Sequence, residues 1–173
     1  MKAVLQKMLH VIDMLSVGTG KLFSFMVIII MLLQVYETLM RYVFKAPTIW
    51  SWELAMLIYG AHFMLGGAWV LQQNKHVRTD LLMQKFPKRI QALLEVILFG
   101  SVFMIFAFVM ITKQIDNAIF SVKMGEKTFT EWAPPFYILK IAIAYSFLLL
   151  GLQGLARWIR QFYFLFANRE IDS

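Results

Sequence analysis

The chain has 173 residues, of which 60% are hydrophobic and only 16% charged, and its net charge is +7. Soluble domains are nearer to about 45–50% apolar and about 25% charged, so this composition indicates a protein whose solvent is lipid. The absence of cysteine excludes disulfides and thiolate-ligated metal sites. The basic residues flank apolar segments, which favours a membrane and not a nucleic acid as the partner.

The first segment is amphipathic. Polar residues recur at helical spacing on one face of residues 2–16, namely Lys2, Gln6, His10 and Asp13. Apolar residues occupy the other face, a pattern that predicts a helix lying at the membrane surface. We expect Gly18-Thr19-Gly20 to end this interfacial helix, which occupies residues 1–21. A cleavable signal peptide is not expected, because the apolar run after Lys21 is too long and no small-residue cleavage site follows it.

Four later segments are long enough to cross a bilayer, which requires about 20 mainly apolar residues. They are predicted at about 22–44, 50–72, 90–112 and 135–157. The sequence therefore predicts an all-α integral membrane protein with four transmembrane helices, organised as a single membrane domain over residues 1–173. The connections between the spans are too short to bury cores of their own, which excludes a separate soluble catalytic domain.

The basic residues also predict the orientation of the spans. Eleven lie in the N-terminal segment, the second connection and the C-terminal tail, whereas five lie in the first and third connections. Cytoplasmic connections carry the excess of Lys and Arg. Both termini are therefore expected in the cytoplasm.

Ionisable residues within the spans are the first candidates for a functional site. Glu37 and Arg41 are four residues apart and share a helix face, which predicts a local ion pair, although Glu37 could also be the proton or cation site of a small exporter. Glu53 follows Trp50 and Trp52 at the start of the second span, where the helix dipole favours an acid and tryptophans form an aromatic belt. We predict that Glu37, Arg41 and Glu53 meet in one structural clamp.

The spans also contain a histidine, a lysine and a set of small residues. His62 could be an axial haem ligand, but bis-histidine ligation needs a second histidine at mid-membrane depth, so we predict no cofactor and no metal. Lys140 is expected to snorkel outward or to pair with Glu126, Glu131 or an acid on another chain. Small residues in the second and fourth spans predict close helix packing; they are Gly60, Ala61, Gly66, Gly67, Ala68, Gly151 and Gly154.

A longer pattern occupies residues 41–82. Its pieces are Arg41-Tyr42-Val43-Phe44, Pro47, Trp50, Glu53-Leu54, a glycine-containing helix, Lys75-His76-Val77-Arg78 and Asp80-Leu81-Leu82. In order and spacing they resemble the small membrane (Q) subunit of tripartite ATP-independent periplasmic (TRAP) transporters. Trp52 departs from the pattern, since many members carry a small or acidic residue before the glutamate.

The resemblance implies a chain that is not an enzyme. It implies a scaffold for a large membrane subunit that carries substrate and sodium, and a docking aid for a periplasmic substrate-binding protein, in sodium-coupled uptake of an organic acid across a bacterial inner membrane. It also implies structural roles, at helix ends and subunit contacts, for Arg41, Trp50, Glu53, His76, Arg78 and Asp80. Arg78 and Asp80 could pair with each other, with the large subunit or with phospholipid phosphates.

Two other functions remain open from the sequence. A self-sufficient proton-coupled exporter would depend on Glu37 or Glu53. A haem or quinone membrane-anchor subunit of a respiratory enzyme would depend on His62.

Overall fold

The computed structural model describes residues 2–73 and 87–167. Every regular element in these two ranges is helical: α1 (Lys2–Ser24), α2 (Met26–Tyr42), α3 (Ile49–Gln72), α4 (Lys88–Leu94), a π-helical segment (Glu95–Phe103), α5 (Met104–Met124) and α6 (Tyr137–Ala167). Four helical stretches are long and apolar enough to cross a membrane: Gln6–Tyr42, Ile49–Gln72, Gly100–Met124 and Tyr137–Leu165. The predicted all-α membrane protein is therefore confirmed.

The expected break at Gly18-Thr19-Gly20 is wrong. α1 continues through these residues to Ser24, and Phe25 alone separates it from α2. The continuous helix is compatible with Gly20 because this glycine faces α3, where a Cβ would lie 2.5 Å from the Cβ of Trp69. Close packing of α1 on α3 therefore outweighs the low helix propensity of glycine.

The inner face of α1 also differs from the amphipathic pattern. Leu9, Asp13 and Ser16 are buried, whereas Met8 and Leu15 are exposed. The polar Asp13, expected on the solvent side, thus points into the bundle, and the apolar face points outward. An outward apolar face is what a lipid environment favours.

The third apolar helix lies further along the chain than predicted. It was expected to end at about residue 112, where the apolar run stops, but α5 continues to Met124 and ends at Gly125 in the left-handed conformation, a common helix C-terminus. Ala107, Ala118 and Ser121 are buried on one face of α5. Tertiary packing on α6 extends this helix beyond its most apolar part, as is usual for helices in proteins.

α3 and α6 form the centre of the bundle. α3 packs against α1, α2 and α6, and α6 packs in addition against α5 and the π-helical segment. The predicted close packing at small residues is present at Gly151, whose Cβ position lies 2.7 Å from Cδ1 of Ile111, and at Gly154, which the ring of Phe103 covers. Gly66, by contrast, faces open space.

The π-helical segment is fixed by a side chain of α6. The Trp158 indole Nε1–H donates to the Val96 carbonyl oxygen at 3.2 Å. Gly100 makes room for this indole, since a Cβ there would overlap its pyrrole ring. The wider turns of a π-helix are therefore supported by a specific contact with the neighbouring helix.

The packing of α1 on α3 gives a first prediction. Gly20→Ala should lower the free energy of unfolding by about 1–3 kcal/mol, because the new methyl group would overlap a Trp69 atom that is fixed to the backbone. Gly18→Ala is the matched control, since nothing lies within 4 Å of its Cβ position. Thermal unfolding of both variants in detergent measures the difference. Equal stability of the two variants would contradict this packing.

Candidate functional site

Polar side chains gather at both ends of the bundle. We call the end that carries residues 43–48 and 125–136 the loop end, and the end where α1 begins and α6 finishes the terminus end. The loop end contains the acids Glu37, Glu53 and Glu126. The terminus end contains the buried Asp13.

Glu37 holds the α2–α3 hairpin together. Its side chain is buried, with 4% of the residue exposed, and its Oε1 accepts from Arg41 Nη2 at 2.7 Å, which is the predicted ion pair. Its Oε2 accepts from the Thr48 backbone N–H at 3.2 Å, from Thr48 Oγ1 at 2.5 Å and from Ser51 Oγ at 2.7 Å. Both oxygens are thus occupied by donors of one helical hairpin.

The positions of Thr48 and Ser51 explain this arrangement. Thr48 has an extended backbone immediately before α3 and is its N-cap, and Ser51 is the third residue of the helix. In a capping box, an acid at that third position would accept from the N-cap backbone N–H. Here Glu37 supplies the carboxylate from the neighbouring helix. Its negative charge also lies at the positive end of the α3 dipole.

The predicted clamp is wrong in its third member. Glu53 is buried, at 6% exposed, but it accepts a hydrogen bond from Thr130 Oγ1 at 2.6 Å and does not join Glu37. The reason is helical geometry, because Ser51 and Glu53 are two residues apart and therefore point to different sides of α3. Glu53 instead connects α3 to residues 125–136.

The two tryptophans before Glu53 have different surroundings. Trp50 packs its ring 5.5 Å from the ring of Tyr36 on α2. Trp52 is 55% exposed on the outside of the bundle. Only Trp50 therefore contributes to the hairpin contact. The other predicted site residues, His76, Arg78 and Asp80, lie outside the described residues.

Residues 125–136 form a loop that is closed on itself and fixed to two helices. Its ends are paired by Phe136 N–H to the Glu126 carbonyl at 2.9 Å and by Thr128 N–H to the Pro134 carbonyl at 3.1 Å. The Glu126 carboxylate accepts from Lys140 Nζ on α6 at 2.5 Å and from Ser121 Oγ on α5 at 2.6 Å. One of the partners proposed for Lys140 is therefore observed.

The environment of Glu126 changes its acidity. The hydrogen bond from Lys140, and after it the hydrogen bond from Ser121, lower the pKa of the Glu126 carboxyl below its ordinary value of 4.5. Both donors favour the charged form of the carboxylate. Glu126 therefore stays ionised at pH values where an isolated glutamate begins to bind a proton.

Sequence reasoning missed the polar network at the terminus end. Asp13 accepts from Gln153 Nε2 at 2.8 Å and from Arg160 Nη2 at 2.5 Å. Ser16 Oγ donates to Gln153 Oε1 at 3.0 Å. The network joins α1 to α6 across more than 130 positions of the chain. The sequence pattern that could have predicted it is the spacing of Asp13, Ser16 and Gly20, which places polar and small residues on one helix face.

His62 makes a structural contact in the middle of α3. Its Nδ1 lies 2.8 Å from the Phe23 carbonyl oxygen, next to the interruption between α1 and α2. The imidazole thus ties α3 to the N-terminal helix two residues before Phe25, which separates α1 from α2. Within residues 2–73 and 87–167, no group of three or more His, Asp or Glu side chains could hold a metal ion.

The lowered pKa of Glu126 gives a second prediction. Because the folded pKa lies below the ordinary value, the Glu126–Lys140 pair stabilises the fold fully above about pH 4.5, and its contribution is lost as the pH falls through the lowered pKa. Glu126→Gln should therefore lower the melting temperature at neutral pH and lose this effect in acid. Melting temperatures of both proteins from neutral pH downward test it. Glu131→Gln, an exposed acid of the same loop, is the control. A difference that is constant with pH would contradict the pairing.

Comparison with known proteins agrees with this architecture. No curated protein matches the sequence. The family model described as "Tripartite ATP-independent periplasmic transporters, DctQ component" matches residues 30–163. The matched range includes the Glu37 cluster, Glu53 and its Thr130 partner, the Glu126–Lys140 pair, and most of α6. The chain therefore belongs to the DctQ component family, the small membrane subunits of TRAP transporters.

Proposed function

We propose that this subunit is a structural scaffold for the large transport subunit and helps the periplasmic substrate-binding protein to dock, during sodium-coupled uptake of an organic acid. Membership of a tripartite family implies both partners. The sodium coupling, the class of substrate and the docking role are the parts that this proposal adds.

The main support for the scaffold role is that both carboxylate oxygens of Glu37 already have hydrogen-bond donors. A carboxylate that couples transport to a proton or a cation must release its partners and bind the ion in turn. Glu37 instead accepts hydrogen bonds on both oxygens from Arg41, Thr48 and Ser51. More widely, every buried side-chain nitrogen and oxygen among the described residues has a hydrogen-bond partner. Polar groups that are already bonded to each other in this way are suited to holding helices together, and not to binding a transported ion.

The loop end supports a docking role. Family membership favours a bacterial inner membrane, and the distribution of basic residues along the sequence favours cytoplasmic termini. This orientation would place the loop end in the periplasm. There, the Glu53–Thr130 contact joins the start of α3 to the loop of residues 125–136. A binding protein would then meet a surface whose two connections are held at a fixed separation.

The orientation can be tested because the chain has no cysteine. Single cysteines at Thr128 and Ser173 should react with a membrane-impermeant thiol reagent from opposite sides. In intact spheroplasts, we expect Thr128→Cys to be labelled and Ser173→Cys to be labelled only after the membrane is opened. Labelling of both positions in intact cells would overturn the orientation.

The scaffold role is tested by uptake into proteoliposomes that contain the complete tripartite system, with an organic acid chosen by its binding to the periplasmic protein. Glu37→Gln should weaken assembly, because an amide cannot accept from all the donors that face Glu37. The sodium dependence and the pH profile of the remaining uptake should be unchanged. Subunit co-purification measures assembly.

Ser51→Ala is the matched variant, since it keeps the charge and removes one donor, at a stability cost of about 1–3 kcal/mol. It should also leave the sodium dependence unchanged. A Glu37→Gln complex that assembles normally but has lost its sodium or pH dependence would make Glu37 a coupling site. Uptake by liposomes that contain this chain alone would favour the exporter.

A further inference from the structure

Exposed charges on α5 are unusual for a membrane-spanning helix. Lys113 and Asp116 are exposed, and so is Asn117, which meets Lys140 Nζ at 3.3 Å. We call these three residues the α5 polar face. The structure gives Lys113 and Asp116 no ion pair or hydrogen bond within residues 2–73 and 87–167. The two side chains therefore have unused bonding capacity on the outside of the bundle.

Contacts between helices give the depth of this face. Lys140 connects Asn117 to the first turn of α6 and also pairs with Glu126. The preceding residue, Leu139, packs at 3.2 Å from the Cβ position of Gly60. Gly60 is near the midpoint of α3, which extends from Ile49 to Gln72. Asn117 and Asp116 therefore lie level with the middle of α3 and with the first turn of α6, about two helical turns before α5 ends at Met124.

Lys113 lies deeper still toward the terminus end. Ile111 of α5 contacts the Gly151 position on α6, and the neighbouring Leu150 reaches to 4.0 Å from the Gly67 position on α3. Lys113 is thus between the levels of Gly60 and Gly67. Lys113 is also next to the midpoint of the helical stretch Gly100–Met124.

Exposure of these charges to lipid would be energetically unfavourable. A charged side chain near the bilayer centre costs several kcal/mol and is normally directed at protein or water. Ala107 is buried against the bundle, and Asp116 follows it by about two and a half helical turns, which places it on the opposite side. Asp116 therefore cannot reach the interior of its own chain.

We infer that the α5 polar face is where this subunit contacts the large membrane subunit, and that the large subunit offers a basic or amide group to Asp116 and an acceptor to Lys113. This inference rests on the proposed function, since it assigns the surface used by the partner. Lys113 and Asp116 are three residues apart but make no ion pair with each other, so charge complementarity favours a protein partner that offers an acceptor and a donor to this face. α2 packs on α3, whereas α5 packs on α6, so α2 offers a separate exposed surface for comparison.

Photocrosslinking distinguishes the two sides without altering the charges. Phe120 is 61% exposed one turn after Asp116, and Phe25 is 68% exposed immediately before α2. Each would be replaced by benzoylphenylalanine in the complex purified from native membranes. We expect irradiation to join the chain to the large subunit, identified by mass spectrometry, from position 120 but not from position 25.

The other products would overturn the inference. They are lipid adducts alone from position 120, a crosslinked pair of copies of this chain, or a large-subunit adduct from position 25 only. A large subunit that co-purifies but crosslinks through α2 contradicts the assigned face and leaves the proposed function intact. Failure of any large subunit to co-purify with the unmodified chain overturns both.

Substitution of the charges provides a second measurement. Asp116→Asn and Lys113→Gln should each reduce co-purification of the large subunit by roughly threefold to tenfold, as expected for interhelical polar contacts of about 0.6–1.4 kcal/mol. Lys123→Gln is the matched control, because Lys123 is exposed in the last turn of α5. Equal recovery of the large subunit with all three variants would contradict the contact.

Discussion

Lipid removes the hydrophobic force that packs helices together in water, so this bundle depends on close contact at small residues and on polar pairs between helices. Gly20 and Gly154 allow the first, and each faces an aromatic side chain on another helix. Glu37 and Asp13 provide the second, at opposite ends of the molecule. The remaining structure follows from where these contacts occur. α3 and α6 are central because most of them converge on these two helices.

Each polar contact joins elements in a way that apolar packing could not. Apolar surfaces slide past one another at little cost, whereas a carboxylate with several donors has one arrangement that satisfies them. Glu37 fixes the start of α3 relative to α2, and Glu53 fixes it relative to residues 125–136. Contacts on two sides therefore fix the position of the N-terminus of α3.

The helices and the Glu37–Arg41 pair could be predicted because both depend on local spacing. The end of α5 could not, because burial of Ala118 and Ser121 determines it and the apolar run does not. Nor could the partners of Glu53 and Asp13, since Thr130 and Gln153 are distant in the sequence and have no periodic signature. The acid that completes the arrangement of Thr48 and Ser51 at the start of α3 comes from another helix, so no local pattern identifies it.

The uninterrupted passage of α1 through Gly18-Thr19-Gly20 has a consequence for the shape of the molecule. At about 1.5 Å per residue, the helical stretch Gln6–Tyr42 is about 55 Å long, whereas the hydrocarbon core of a bilayer is about 30 Å thick. α2 finishes beside the start of α3, so the surplus lies at the terminus end. The C-terminal half of α6 accompanies it there, joined through Asp13 and Arg160. α1 and α6 are joined there by a charged contact, so a tilt of the long N-terminal helix would carry the end of α6 with it.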